Sequence, residues 1–216
     1  MLATSLAIVA ASCGRGRWPG DVHLRVACLG DSNTFYAGDG EARSWCEYLA
    51  ELGAWRGWRT INLGQFGASA VDTASRPGGV SLAATDGVQR AVESDADVAV
   101  LSYGTNDAIL RLSPTDMVAA IARHRDRLER HGIAVYVATV PPLYPPADTA
   151  ANATIDAFDD ALRAAIPADR LIDFRAHATA DDVRIDDVRV KTRDGIHVND
   201  AAQRTRARLA YDAIRR

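Results

Sequence analysis

The chain has 216 residues, 48% of them hydrophobic, which is long enough to bury one core and indicates a single folded domain. Its 25 basic and 28 acidic side chains give a formal net charge of −3. The arginines are spread over many segments and form no basic stripe, so the composition argues against a nucleic-acid-binding protein. Three cysteines are too few for a disulfide framework.

The amino terminus differs in composition from the rest of the chain. Residues 2–11 are apolar but too short to span a bilayer, and they resemble the apolar region of a signal peptide. Cys13 follows in the stretch 10–14, which resembles the lipobox of bacterial lipoproteins, although no basic residue precedes the apolar run. We predict a signal-like segment and connector over 1–22, a folded domain over 23–216, and an extracytoplasmic enzyme lipid-anchored to the membrane at Cys13. A cytoplasmic enzyme with an amino-terminal tail is the alternative.

Within the folded part, apolar runs alternate with helical patterns. The first run, residues 24–29, has the near-continuous hydrophobicity of a buried parallel strand. Four further strands are predicted over residues 58–63, 97–102, 133–140 and 171–173. Strands that alternate with helices imply right-handed crossovers, so we predict an α/β fold whose central parallel sheet of about five strands carries helices on both faces.

Capping signals mark where several helices begin and end. Ser44 and Glu47 have the spacing of a capping box, and Gly53 suits the end of the same helix. Asn199 is predicted to cap the last helix. Hydrophobic periodicity predicts further helices over residues 82–92, 114–131 and 155–166.

Polar residues follow the first three predicted strands and recur near the end of the chain. Ser32 lies in a Gly-Asp-Ser-Asn turn after the first strand, Gly67 follows the second, and Asn106 follows the third. The carboxyl ends of parallel strands meet at one edge of the sheet, where open α/β folds bind ligands. Asp194 and His197 lie in a late loop, just before the last helix.

These residue types suit acyl transfer by a serine. A serine hydroxyl needs a base to accept its proton, and His197 can serve near neutral pH. Asp194 can orient the imidazole and stabilise its charged form. The backbone N–H groups of Ser32 and Gly67 and the side-chain amide of Asn106 can donate to the oxyanion that forms. The sequence therefore predicts a catalytic site with these five residues.

The order of the four blocks resembles the SGNH, or GDSL-type, hydrolase family. Residues 30–32 match its first block, the stretch ending at Gly67 its second, residues 104–107 its third, and residues 194–197 its last. One departure is Asn33, where the family name has leucine. The resemblance implies a flavodoxin-like three-layer α/β/α sandwich, no metal or other cofactor, and ester hydrolysis through an acyl-enzyme on Ser32.

We therefore expect a serine esterase that acts on carboxylic esters with short acyl groups, including acetyl groups on carbohydrates. An acyltransferase with the same acyl-enzyme is an alternative, because the two activities differ only in the acceptor. A non-catalytic binding module on the same fold is a third hypothesis, since fold alone does not decide function.

Other residues receive structural predictions. Asp31 and Asp107, which neighbour the predicted site, are expected to make structural hydrogen bonds. His124 lies on an arginine-rich helix and is predicted to be solvated. Cys28 is predicted to be buried in the first strand, and a bridge from it to Cys46 stays open, because a sequence gives no distance by which to judge it.

Overall fold

A computed structural model describes residues 23–35, 43–72, 84–144, 147–178 and 195–216. The predicted signal-like segment, Cys13 and Asp194 lie outside these residues, so export and lipid attachment stay predictions. In the part of the chain that is described, no helix is both long and apolar enough to cross a membrane.

The centre of the fold is a parallel sheet of five strands in the order β2-β1-β3-β4-β5. The strands are β1 (Leu24–Gly30), β2 (Trp58–Gly64), β3 (Val98–Ser102), β4 (Ala134–Ala138) and β5 (Leu171–Ile172). All four pairs of neighbouring strands are parallel. This is the strand order of flavodoxin-like folds, in which the chain changes direction across the sheet between β1 and β3.

Helices cover both faces of the sheet. They are α1 (Ser32–Phe35), α2 (Trp45–Gly53), α3 (Ala84–Glu93), α4 (Thr105–Ile109), α5 (Pro114–Glu129), α6 (Asn152–Ala165) and α7 (Asp200–Ile214). Core residues of α3, α5 and α6 pack in one hydrophobic cluster, and those of α2 and α7 pack in another. The predicted three-layer α/β/α class is therefore confirmed.

Local signals explain where two of these helices, α2 and α7, begin. The side chain of Ser44 accepts a hydrogen bond from the Glu47 N–H, and the Glu47 carboxylate accepts one from the Ser44 N–H, which completes the predicted capping box. Asn199 caps α7 by accepting from the N–H of Ala202.

The core lies on both sides of β1. Ala27 and Leu29 belong to one hydrophobic cluster, and Val26 and Cys28 belong to the other. This alternation follows from the two-residue period of a strand, and both sets are apolar because a parallel sheet is covered on both faces. The structure also joins Cys28 to Cys46 of α2 in a disulfide, with the two Cα atoms 6.0 Å apart.

Candidate active site

Ser32 is the first residue of α1, which begins directly after β1. Asp31 lies between the strand and the helix and caps the helix, since its carbonyl accepts from the Thr34 and Phe35 N–H groups and its carboxylate from the Asn33 N–H, at 2.8 Å. These contacts confirm the predicted structural role of Asp31. Burial raises the pKa of Asp31, while the hydrogen bond from Asn33 acts in the opposite direction.

Two glycines allow α1 to pack closely against the sheet. A Cβ atom added to Gly30 would lie 2.1 Å from the Thr34 hydroxyl oxygen, and one added to Gly64 would lie 2.2 Å from the Phe35 nitrogen. Side chains at these positions would push the helix away from the ends of β1 and β2. The glycines therefore help to place Ser32 at the carboxyl edge of the sheet.

His197, near the carboxyl end of the sequence, lies beside Ser32. Its Nε2 atom lies 2.8 Å from the Ser32 Oγ atom, across 165 positions of the sequence. The segment before His197 is held by the Tyr144 N–H, which donates to the Gly195 carbonyl at 2.9 Å. Gly195 has a φ of 71°, and an added Cβ would lie 1.6 Å from the Tyr144 carbonyl oxygen, so this turn requires glycine. Asp194, the predicted orienting residue, lies outside the described residues.

Gly67 lies in the loop after β2, and Asn106 lies in the first turn of α4, which follows β3 at the same edge of the sheet. Gly67 has a φ of 70°, a conformation that glycine adopts without strain. The Asn106 amide donates to the carbonyl of Ala68 at 2.8 Å, which ties the loop after β2 to α4. An amide carries two N–H groups, so this bond leaves one of them to donate elsewhere.

The structure therefore brings a serine hydroxyl and a histidine imidazole together at this edge of the sheet. A hydroxyl lies within hydrogen-bond reach of an imidazole, which is the contact that a general base needs. Among the described residues, no group of three or more His, Cys, Asp or Glu side chains is placed to hold a metal ion.

Comparison with protein families matches residues 28–205 to the GDSL-like lipase/acylhydrolase family. The chain belongs to this family. The predicted family and enzyme class, a GDSL-type ester hydrolase, are therefore confirmed. A search of curated protein sequences gave no match.

Solved structures with this fold share little sequence with the chain. One is a member of the lipolytic protein G-D-S-L family from Veillonella parvula DSM 2008, with a TM-score of 0.68 and 16% identity, over 89% of this chain and 98% of that one. A carbohydrate acetylesterase family member from Sinorhizobium meliloti has a TM-score of 0.66 and 18% identity, over 89% of this chain and 97% of that one. The M. smegmatis aryl esterase has a TM-score of 0.64 and 17% identity, over 89% of this chain and 98% of that one. At these identities the likeness shows the fold.

In this GDSL-like hydrolase, two buried side chains brace the loop that follows Gly67. The Asp107 carboxylate accepts from the N–H groups of Ala70 and Val71, each at 2.9 Å, which confirms its predicted structural role. Burial raises the pKa of Asp107, and these two hydrogen bonds act in the opposite direction. His124 donates through Nε2 to the Ala70 carbonyl at 2.8 Å.

The prediction that His124 is solvated is wrong, because its side chain is buried. The spacing of apolar residues along α5 already indicated that His124 is buried. His124 follows Ile121 by three residues and precedes Leu128 by four, which places it on the apolar face of α5. The arginines around it suggested an exposed helix, but they occupy the other faces.

We expect His124 to make stability depend on pH. Burial lowers the pKa of His124 below its ordinary value of 6.5. The unfolded chain therefore binds a proton more readily, so this stabilisation is complete above pH 6.5 and is lost as pH falls toward the folded-state pKa. A His124→Leu variant should lose about 1–3 kcal/mol at pH 8, because the Ala70 carbonyl loses its donor.

Urea unfolding of both proteins between pH 8 and pH 5 measures this difference. The difference in free energy of unfolding between wild type and His124→Leu should become smaller as pH falls. A gap that stays constant or widens would contradict the assignment of a buried neutral histidine.

Proposed function

We propose that this protein is a serine esterase that hydrolyses short acyl esters, with acetyl groups on carbohydrates as the favoured substrates, through an acyl-enzyme on Ser32. The observation that carries the proposal is the 2.8 Å separation between Ser32 Oγ and His197 Nε2. This is the distance at which an imidazole can accept a hydroxyl proton during attack.

In the proposed mechanism the Ser32 hydroxyl attacks the ester carbonyl while His197 Nε2 takes its proton. The carbonyl electrons move to oxygen and form a tetrahedral oxyanion. When the oxyanion collapses, the bond to the alcohol breaks and His197 returns the proton to the leaving oxygen. Water then attacks the acyl-Ser32 ester by the same sequence, releasing the acid and restoring the serine. We assign to Asp194 the orientation of His197.

Three donors are proposed for the oxyanion: the N–H groups of Ser32 and Gly67 and the Asn106 amide. Ser32 is the first residue of α1, where a backbone N–H has no acceptor within the helix. The positive φ of Gly67 supports a backbone turn that offers its N–H without a side chain in the way. Fixed donors of this kind stabilise the transition state without reorganising during the reaction.

Exposed apolar side chains near these residues support the proposed substrate class. Phe35 and Phe66, which lie close in sequence to Ser32 and Gly67, are both exposed, and their ring centroids are 5.2 Å apart. Leu110, four residues after Asn106, is exposed as well. Exposed hydrophobic side chains that contact each other, as Phe35 and Phe66 do, mark binding surfaces. An aromatic pair suits an alcohol with a flat apolar face, such as a sugar ring, and one structural neighbour is named a carbohydrate acetylesterase family member.

Pre-steady-state hydrolysis of p-nitrophenyl acetate tests the proposal. An acyl-enzyme predicts a burst of about one p-nitrophenolate per protein molecule, followed by slower turnover. A fluorophosphonate should abolish turnover and label the peptide that contains Ser32. Acetyl esters should exceed octanoyl esters in kcat/KM by at least about tenfold. Acetate release from an acetylated sugar then tests the alcohol part.

Two outcomes would count against this proposal. Folded protein that gives no turnover and no labelling of Ser32 contradicts a serine esterase and favours a binding module. Turnover that appears only when a sugar alcohol is added, with the acyl group recovered on that alcohol, favours an acyltransferase.

A further inference from the structure

The residue after the nucleophile contacts the main chain on both sides of His197. The Asn33 amide nitrogen donates to the Ile196 carbonyl at 3.3 Å, and its side-chain oxygen accepts from the Val198 N–H at 3.2 Å. These partners fix the orientation of the amide, because a carbonyl can only accept and an N–H can only donate. One side chain therefore holds the backbone just before and just after the imidazole.

The segment that carries His197 needs such a contact. Residues 195–199 belong to no strand or helix, so regular secondary structure does not fix the position of His197. Asn33 presents a donor and an acceptor side by side, as a neighbouring strand would, and both it and Val198 are buried. Polar groups buried at this point would be costly to leave without partners.

Asn33 is itself held firmly. Its N–H donates to the Asp31 carboxylate at 2.8 Å, and its carbonyl accepts from the Gln203 side chain at 3.0 Å. The oxygen of the same Gln203 amide accepts from the Trp45 N–H at 3.0 Å, at the start of α2. The contact from Asn33 to the histidine segment is thus made from a position fixed by both α2 and α7.

We propose that Asn33 is a positioning residue that holds His197 opposite Ser32 by clamping the main chain on either side of the histidine. This inference rests on the proposed function, in which His197 is the base. Asn33 and Ser32 are consecutive residues of α1, so the clamp fixes the nucleophile and the base relative to each other. Aspartate would keep the acceptor for Val198 but lose the donor for Ile196, and leucine would lose both.

Steady-state kinetics of Asn33→Leu and Asn33→Asp test the clamp. A misplaced base slows proton transfer without removing substrate contacts, so kcat should fall about 10- to 100-fold in Asn33→Leu, with KM changed by less than about threefold. The kcat of Asn33→Asp should lie between those of wild type and Asn33→Leu. The rate of fluorophosphonate labelling of Ser32 should fall in parallel with kcat.

A core variant serves as the matched control. Leu128 is fully buried near the carboxyl end of α5, and a helix that returns antiparallel to the strands ends at the edge of the sheet opposite Ser32. Leu128→Ala should destabilise the fold, yet keep the wild-type kcat when rates are divided by the folded fraction.

Hydrogen exchange at the Val198 amide provides a readout that does not require activity. Exchange should be slow in wild type, Asn33→Asp and Leu128→Ala, and should lose protection in Asn33→Leu. If wild type neither hydrolyses esters nor reacts at Ser32 while this exchange pattern holds, the proposed function fails and the clamp remains. If wild type is active but Asn33→Leu keeps the kcat of Leu128→Ala and its Val198 protection, the clamp is overturned.

Discussion

Replacing Ser32 with alanine is expected to lower kcat for p-nitrophenyl acetate by about 10⁴- to 10⁶-fold, because the covalent route depends on this one oxygen. The Ser32 hydroxyl is the nucleophile in the proposed mechanism, and water cannot occupy its position with the same orientation. KM should change little, since the hydroxyl contributes little to substrate binding in the ground state. Steady-state assays on folded protein measure both constants.

The fold should tolerate this change. Ser32 lies at the start of α1, but the cap is made by Asp31, and the close approaches are made by Gly30 and Gly64. Circular dichroism and the thermal midpoint of Ser32→Ala should therefore match those of wild type. A variant that is folded and keeps more than about one per cent of the wild-type kcat would contradict a serine nucleophile.

A variant that combines Ser32→Ala with His197→Ala tests whether the two side chains act together. A nucleophile and its base act as one unit, so removing both should cost about as much as removing either one. Independent roles would instead multiply the two losses. A further drop of several orders of magnitude in the double variant would mean that His197 acts on a different step.

Much of the fold followed from local patterns. The strands that begin at Leu24 and Val98 are short apolar runs that end at turn residues. The helix that follows Ser44 begins with a capping box, and both hydrogen bonds of the box form. Ser32 and Asn106 could be placed at one edge of the sheet because the carboxyl ends of parallel strands meet there. The four-residue α1 was not predicted, since one turn is too short to show a helical period.

The parts that could not be predicted depend on contacts between distant residues. The bonds from Asn33 to the backbone around His197 span 163 and 165 positions, and no local pattern encodes them. The Cys28–Cys46 pairing depends on a Cα separation of 6.0 Å, which only packing determines. His124 is different, because its helical spacing with Ile121 and Leu128 already placed it on the buried face.

Replacing Asn106 with alanine is the second large expected effect, a fall in kcat of about 10²- to 10³-fold. The side-chain amide is proposed to donate to the oxyanion, where negative charge develops during attack. This interaction strengthens from the ground state to the transition state, so kcat and kcat/KM should fall together while KM stays nearly constant.

The same amide also donates to the Ala68 carbonyl, so loop displacement is a competing explanation for lost activity. His124→Leu is the matched control. It removes a different donor from this loop, the one to the Ala70 carbonyl, and the proposed mechanism gives His124 no role. The Asp107 carboxylate still holds the Ala70 and Val71 N–H groups in both variants.

At pH 8 we expect kcat of His124→Leu to stay within about threefold of wild type, because the Asp107 carboxylate and the Asn106 amide still hold the loop. Asn106→Asp should be as slow as Asn106→Ala, since an ionised carboxylate cannot donate to an oxyanion and repels it. If His124→Leu is as slow as the Asn106 variants, the loop and not the amide donor explains the loss. If Asn106→Asp keeps wild-type activity, the oxyanion must be stabilised by the backbone N–H groups of Ser32 and Gly67 alone.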